Sequence, residues 1–512
     1  MSELIQLVEI DAWNGSSEIT LRFSTHGYVT ARTDTPADTT YIARLAEAIK
    51  IKRTSASTDT TRGESSLSVG NINLVNADGA LDYMLDLAYA GRGIRVYLVE
   101  RYSPLSSAVM IFSGILEQPR FDWTTNGESF LQIIVRDKAF DLIKPLQMST
   151  YGGTNSLPNG SDGVDDLKGK YKPLLFGYVK HIAPPCVNTA RLIYQVSANA
   201  IYDVPAVYDR GVSLVRGADY VSEVDMQTNA PAASNYRVWP AGGMFRLGST
   251  NAGQVICDAI EGSTSASRYP GAIVNKILLQ GGLVSGDIDS ASLTALDTNC
   301  PWEIGYWVTH EEAVSASEIL DFISLSVNGW WSANNEDKII FKNLVAPSGS
   351  PSVELHSGNI ISVTRRQAKD EERGIPPWRF IVGYARYWEP QSNDFAASVP
   401  ASTREDWTQE YRLVSTSDSS VQTAYPASTE LRVDTLLRYS ADAQSLSNTQ
   451  HALIKVKKDL LSCEAFIQGS VDIGDIVKIT LPRFGLDSGR LFVVLGIELD
   501  PRIDRVTLTL WG

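Results

Sequence analysis

The first third of the chain alternates apolar and polar residues with a period of two. Runs such as Ile19-Thr20-Leu21-Arg22-Phe23, Ile72-Asn73-Leu74-Val75 and Ile94 to Val99 are bounded by Gly, Asn and Asp, the pattern of strands with one buried face. Further runs at 109–116 and 129–136, with a turn at 123–127 between them, predict a small barrel or a strongly curved sheet. Two stretches change to helical spacing: Leu81, Met84, Leu85 and Ala88 within 80–89, and Ala139, Phe140, Leu142 and Ile143 within 137–146. Gly, Ser, Asn and Asp then dominate from 151 to 167, which predicts a linker and a domain boundary.

Strand patterns return at 173–179, 191–196 and 204–211, and the last two read as hairpin arms about a turn. Helical patterns follow at 272–280, 290–296 and 315–327, the third opened by Ser315 as N-cap with Glu318 completing a capping box. Trp330 to Phe341 reads as a hairpin with a polar tip. Beyond 357 come strands including 378–384, then a Ser/Thr/Ala-rich stretch at 391–403 that predicts an exposed loop. Ser440 caps the longest predicted helix, 441–461, with Ala443, Leu446, Leu453, Val456 and Leu460 on one face. Strands at 476–481, 491–499 and 505–511 complete the pattern. The chain is expected to be mainly β with α+β insertions and several domains. These are a β-rich domain at 1–150, a β-rich middle domain with hairpin arms at 151–265, an α/β segment at 266–356 and a C-terminal domain at 357–512.

Length agrees with that division, because 512 residues exceed the roughly 250–300 at which one hydrophobic core stops growing. With 43% hydrophobic and 20% charged residues, the chain lacks the composition of a disordered protein. Its first ten residues have no basic region ahead of an apolar run, and no stretch approaches ~20 uninterrupted apolar residues. Synthesis in a cytoplasm without membrane insertion is the expectation. A net charge of -14 and a pI near 5.0 oppose general nucleic-acid binding, which needs clustered Lys and Arg.

Candidate chemistry is sparse. There is no phosphate-binding loop, HExxH or GxSxG, and Cys186, Cys257, Cys300 and Cys463 form no CxxC and have no His in metal spacing, so buried free thiols are expected. His310-Glu311-Glu312 is the one compact set that could hold a metal or donate a proton; the plainer reading is that its carboxylates complement the N-terminus of the following helix. Among 59 acidic residues no spacing selects a glycosidase pair. Tyr306-Trp307 and Trp330-Trp331 sit within strand patterns, as core or subunit-contact residues do, whereas Trp407, beside the 391–403 stretch, is the candidate exposed aromatic. No catalytic, cofactor-binding or metal-ligating residue is assigned, and no cofactor is expected.

The most specific pattern lies at 471–512. Val471-Asp472-Ile473-Gly474-Asp475-Ile476-Val477-Lys478-Ile479-Thr480 is followed by Arg483 to Arg490 with two glycines, by Leu491 to Ile497, and by Arg505-Val506-Thr507-Leu508-Thr509-Leu510-Trp511-Gly512. A turn, a strand, a Gly-marked loop and two more strands of this kind would close a small barrel. In wording and order the pattern resembles the closing barrel of tail-tip, or baseplate hub, proteins of long-tailed (siphophage-like) bacteriophages and prophages. Asn73 to Asp82, Lys172 to Gly177, Ala206 to Gly211, Val382-Gly383-Tyr384 and Thr435-Leu436-Leu437 resemble the same proteins, so the likeness covers most of the chain discontinuously.

The resemblance implies small barrel-like hub domains at both ends of the chain, and a structural virion protein that is not an enzyme. It further implies a homotrimer at the tail tip that joins the sixfold tail tube to the threefold tip and lines the channel for DNA ejection. The implied partners are the distal tail protein, the tail tube, the tape measure protein, central fibre or tip proteins, and DNA that passes without specific binding. The alternatives are a tail-associated peptidoglycan hydrolase and a receptor-binding tip protein. The clustered C-terminal cysteines of iron-sulfur relatives and fibronectin-like extensions do not follow the barrel pattern, so no cluster is carried over. Attachment of a fibre by another protein is expected in place of direct receptor recognition.

Overall fold

The computed structural model describes residues 4–47, 49–55, 69–123, 129–366, 375–466 and 471–512. Strands outweigh helices by 38% to 19%, so the chain is mainly β, with several sheets and α+β insertions.

In the first domain the strand Leu4–Trp13 pairs on one side with Glu18–Ser24 and on the other with Gly93–Glu100. Val109–Leu116, Ser129–Arg136 and Val69–Val75 continue the sheet in that order. Residues 44–46 then bridge its flanks: Leu45 N donates to Ser24 O at 3.2 Å, Ala46 N to Asn73 O at 2.9 Å, and Val75 N to Arg44 O at 2.8 Å. These bonds close the ring that period-two alternation predicts, with Val8, Ile10, Val96, Leu131 and Ile133 pointing inward. The two stretches expected to be α-helical are 3-10 turns instead, Asp82–Asp86 and Lys138–Ile143. Leu81, Met84 and Leu87 are buried, as are Ala139 and Leu142, whereas Leu85 and Ile143 face solvent. A spacing of three, not 3.6, carries the apolar face in both.

The C-terminal sheet runs Val353–His356, Ile476–Thr480, Arg490–Asp500, Arg505–Trp511, Leu460–Phe466, Ile360–Arg366. Ile51–Thr54 from the first domain also joins it. The long strand Arg490–Asp500 is bulged between Val494 and Gly496, which lets one edge serve two partners: Ile476–Thr480 along its first half and Ile51–Thr54 along its second. The barrel-like unit therefore draws on strands well outside 471–512. One apolar cluster contains Val8 and Phe112 of the first domain, Trp330, and Val477, Phe492 and Leu508 of the last.

The longest helix is Ser440–Ile454, shorter than the predicted 441–461, and Tyr439, not Ser440, is its N-cap. Leu460–Phe466 is a strand, because Leu461, Cys463 and Ala465 alternate into the shared core; Val456, expected on the helix face, is exposed.

Between the ends, two five-stranded sheets face each other. Val179, Val204, Val207 and Cys257 of one meet Tyr194, Val196, Tyr236 and Phe245 of the other. The expected hairpin arms do not pair. Ile193–Gln195 lies between Cys186–Asn188 and Met244–Leu247, while Asp203–Asp209 lies in the opposite sheet beside Val212–Ser213 and Val255–Ile260. Facing each other across the core buries both apolar faces, which a lone hairpin would leave half exposed. Helices Pro270–Gln280, Ser290–Asn299 and Ala316–Val327 pack with the hairpin Gly329–Ala333/Ile339–Asn343 around a second core. The Ser315/Glu318 capping box forms as read: Glu318 N donates to Ser315 Oγ, and Ser315 N to the Glu318 carboxylate at 2.7 Å.

Candidate functional site

The seam between the terminal domains is built around Arg53. In the Ile51–Thr54 strand Arg53 lies opposite Ile497, and only 2% of it is exposed. Its Nη1 donates to Asn335 Oδ1 at 2.5 Å and lies 3.9 Å from Asp472 Oδ1, and its guanidinium sits 5.3 Å from the centre of the Phe112 ring. Asp472 in turn accepts from the backbone N–H groups of Asn335 and Ile473, and Asp337 accepts from Lys138 N at 3.0 Å. Strands and turns from the first domain, the α/β segment and the C-terminal domain thus meet at one buried charge. Burial pushes the Asp337 carboxyl up to about 7, raises Asp472 and lowers Arg53; Asp472, Asp137 and Asp337 oppose the shift on Arg53. Nothing in this set pairs a nucleophile with a base, and its chemistry is that of a structural lock.

The residues singled out in the sequence are scattered. His310 Nε2 stands 4.0 Å from Glu311, whose side chain is exposed, and the capping box of the following helix is made by Ser315 and Glu318. Burial lowers the His310 imidazole below its ordinary range. Among the described residues no group of three or more His, Cys, Asp or Glu is placed to hold a metal. The four cysteines are free thiols; Cys257, Cys300 and Cys463 are buried as expected, whereas Cys186 is only half-buried. Cys257, Cys300 and Cys463 lie in three different cores, so they do not converge. Tyr306, Trp307, Trp330 and Trp331 are buried.

Trp407 is not the exposed aromatic it was expected to be. It is 6% exposed and meets His181 edge-on with ring centres 4.1 Å apart, while His181 stacks on Tyr387 at 3.7 Å. Burial holds the His181 imidazole down at about 3. Trp407 ends a short helix, Ala401–Trp407, that folds back against the middle domain. The 391–403 stretch is anchored by buried Gln391 and Val399 and by an Arg210–Asp394 ion pair at 2.8 Å, although most of its other residues face solvent. Composition suggests an exposed loop because the buried anchors Gln391 and Val399 are diluted among Ser, Thr and Ala.

Exposed aromatics occur elsewhere in the chain, and in the first domain three stand out most. Phe121 (59% exposed) and Trp123 (71%) sit on the strand Arg120–Trp123; the turn expected at 123–127 begins at Trp123, and its other residues lie outside the described ones. Tyr102 is 89% exposed beside a hollow of about 740 Å³ lined by Tyr28, Val29, Tyr41, Ile42 and Arg101. The alternation Arg120-Phe121-Asp122-Trp123 was the signal available for the strand; its exposure has no counterpart in the sequence.

No family model matches the chain, and no curated protein matches it. Three solved structures align along its whole length. These neighbours are phage or prophage tail proteins. One, from Neisseria meningitidis, covers 100% of this chain and 97% of its own at 9% identity and a TM-score of 0.43. The 43 kDa tail protein of prophage MuSo2 from Shewanella oneidensis covers 99% and 98% at 9% identity, TM-score 0.41. A prophage tail protein from Listeria monocytogenes covers 99% and 94% at 8% identity, TM-score 0.40. At such scores the functional reading rests on this chain's own residues.

Proposed function

We propose that the chain is a structural protein of a phage tail, acting as the hub of the tail tip. In this role three copies surround the tail axis, the first and last domains build the ring that meets the sixfold tube, and the middle segments face outward or tipward. The observation that carries the reading is the exchange of Ile51–Thr54 onto the C-terminal sheet around buried Arg53. It makes two barrel-like domains from opposite ends of the chain one body, as a subunit that presents two repeats to a sixfold tube requires. The sequence pattern at 471–512 supports the same reading. A net charge of -14 suits a channel wall that repels phosphate and lets DNA pass without sticking.

Light scattering on the purified protein, together with gold labelling of virions, tests this. The hub reading expects three times the chain mass and label at the axial end of the tail. A monomer, with label on fibre tips or off the tail, would overturn it.

A further inference from the structure

We propose that residues 387–407 form a latch that clips the C-terminal domain onto the middle domain over His181, and that protonation of the His181 imidazole opens it. The latch is closed at neutral pH and released in acid. The proposal goes beyond the hub reading and takes nothing from it.

The latch is a loop of one sheet laid on a neighbouring domain. The chain leaves the strand Arg379–Tyr384 and rejoins the same sheet at Arg412, the residue paired with Tyr384. Between them it crosses to the strand Leu174–Ile182, where Trp388 N donates to Lys180 O at 3.3 Å and Glu389 N to His181 O at 2.7 Å. Farther out, Ala396 N donates to Arg210 O at 2.9 Å, and Asp394 pairs with the Arg210 side chain. Gln391 N donates to Trp407 O at 2.9 Å and closes the loop on itself. At the centre of the contact Tyr387 stacks flat on His181, and Trp407 meets both His181 and Tyr208 edge-on. Ala385 (φ 48°), Asp394 (φ 61°) and His181 (φ 51°) all hold left-handed backbone, so the closed latch is strained at its entry, its tip and its seat. Strain of this kind persists only while the contacts around it hold.

The seat suits a neutral imidazole. His181 is 2% exposed, and its Nδ1 has no hydrogen-bond partner among the described residues. A protonated ring donates from both nitrogens, so protonation would strand a buried N–H. Lys180 on the same strand, Arg412 where the latch ends and Arg438 all oppose a further positive charge. The carboxylates nearby are already engaged. Asp406 of the latch accepts from the Tyr387 hydroxyl at 3.0 Å and pairs with Arg412 at 2.8 Å. Asp258 on the adjacent strand accepts from His181 N at 3.1 Å and stands 3.9 Å from Lys180. The other charges of the latch turn elsewhere, Asp394 to Arg210 and Arg404 to the carbonyls of Val399 and Ala396. Tyr208 and Tyr387, the phenols against the ring, are raised by burial and stay neutral. Burial first, then Lys180 and Arg412, hold the docked ring at about 3 against the pull of Asp406. Released, it titrates near ~6.5. The open form therefore binds the extra proton. Closure is fully favoured above ~6.5, weakens about tenfold per pH unit below that, and levels off below about 3.

Hydrogen exchange of the full-length protein, followed by mass spectrometry from pH 7 to pH 4 and corrected for intrinsic rates, tests the latch. Amides of 388–396 are expected to lose protection about tenfold per pH unit below ~6, while those of Leu4–Trp13 in the shared core keep theirs. Two variants remove the titrating ring. His181→Asn tolerates the φ of 51°, and His181→Phe keeps a ring in the stack. Each should make latch protection independent of pH over this range, at a lower level for asparagine, and whichever variant folds decides the matter. Wild-type latch protection that does not change with pH would overturn the proposal, as would a pH dependence that survives without the imidazole. Protection lost in step by the latch and by Leu4–Trp13 would mean unfolding of the whole chain, and would also overturn it.

Discussion

Arg53 carries a charge into the seam, where it donates to Asn335 and has carboxylates around it. Removing it leaves Asp472 and its neighbours buried without their counter-charge, so Arg53→Ala is expected to destabilise the protein by roughly 3–5 kcal/mol. Denaturant unfolding measures this, and an unchanged midpoint would refute the lock. Asp337 gives a test with a definite sign. Its carboxyl titrates near 7 in the folded chain and at ~3.9 when unfolded, so the native state holds an extra proton between those values. That contribution is fully present below ~4, is lost as pH rises through about 7, and is flat above. Asp337→Asn keeps a neutral side chain at a position with φ of 59°, which asparagine tolerates. The variant should lose this slope and be the more stable protein at pH 8, as read from unfolding midpoints across the pH range. None of this was visible in the sequence, where Arg53, Asp337 and Asp472 lie far apart and look like ordinary surface charges.

Elements whose information is local were legible. The Ser315/Glu318 cap needs four consecutive residues, and the Trp330 to Phe341 hairpin needs one turn and two alternating runs. Elements that depend on distant partners were misread. The 191–196 and 204–211 runs went to opposite sheets, and the long helix stopped where Leu460–Phe466 found Arg505–Trp511. Close backbone approach is the other signal that local pattern lacks. Gly177 has φ of 70°, and a Cβ there would stand 2.0 Å from Ile304 O. Gly177→Ala should therefore cost about 3 kcal/mol or more, seen as a large fall in Tm or loss of soluble protein. Ser55, whose N–H and hydroxyl both donate to Leu495 O, fastens the exchanged strand. Ser55→Pro removes both donors and should split a single calorimetric transition into two as the terminal domains uncouple.

At the scale of the whole molecule, the shared core has a direct consequence for dissection. A fragment of residues 357–512 would expose Val477, Phe492 and Leu508 and leave the 496–499 edge of the C-terminal sheet without Ile51–Thr54. It is expected to aggregate when expressed alone, with solubility restored by co-expression of 1–150. A soluble, monomeric fragment would show that the seam is dispensable. By itself the sequence determined the β character, most strand positions, the Ser315 helix cap and the 471–512 pattern, because alternation, turn residues and caps act over a few neighbours. Only the tertiary structure decided that Ile51–Thr54 belongs to the far sheet, that Trp407 is buried, and that Phe121, Trp123 and Tyr102 face outward. Burial is set by which distant surfaces meet, and local periodicity carries no record of the partner.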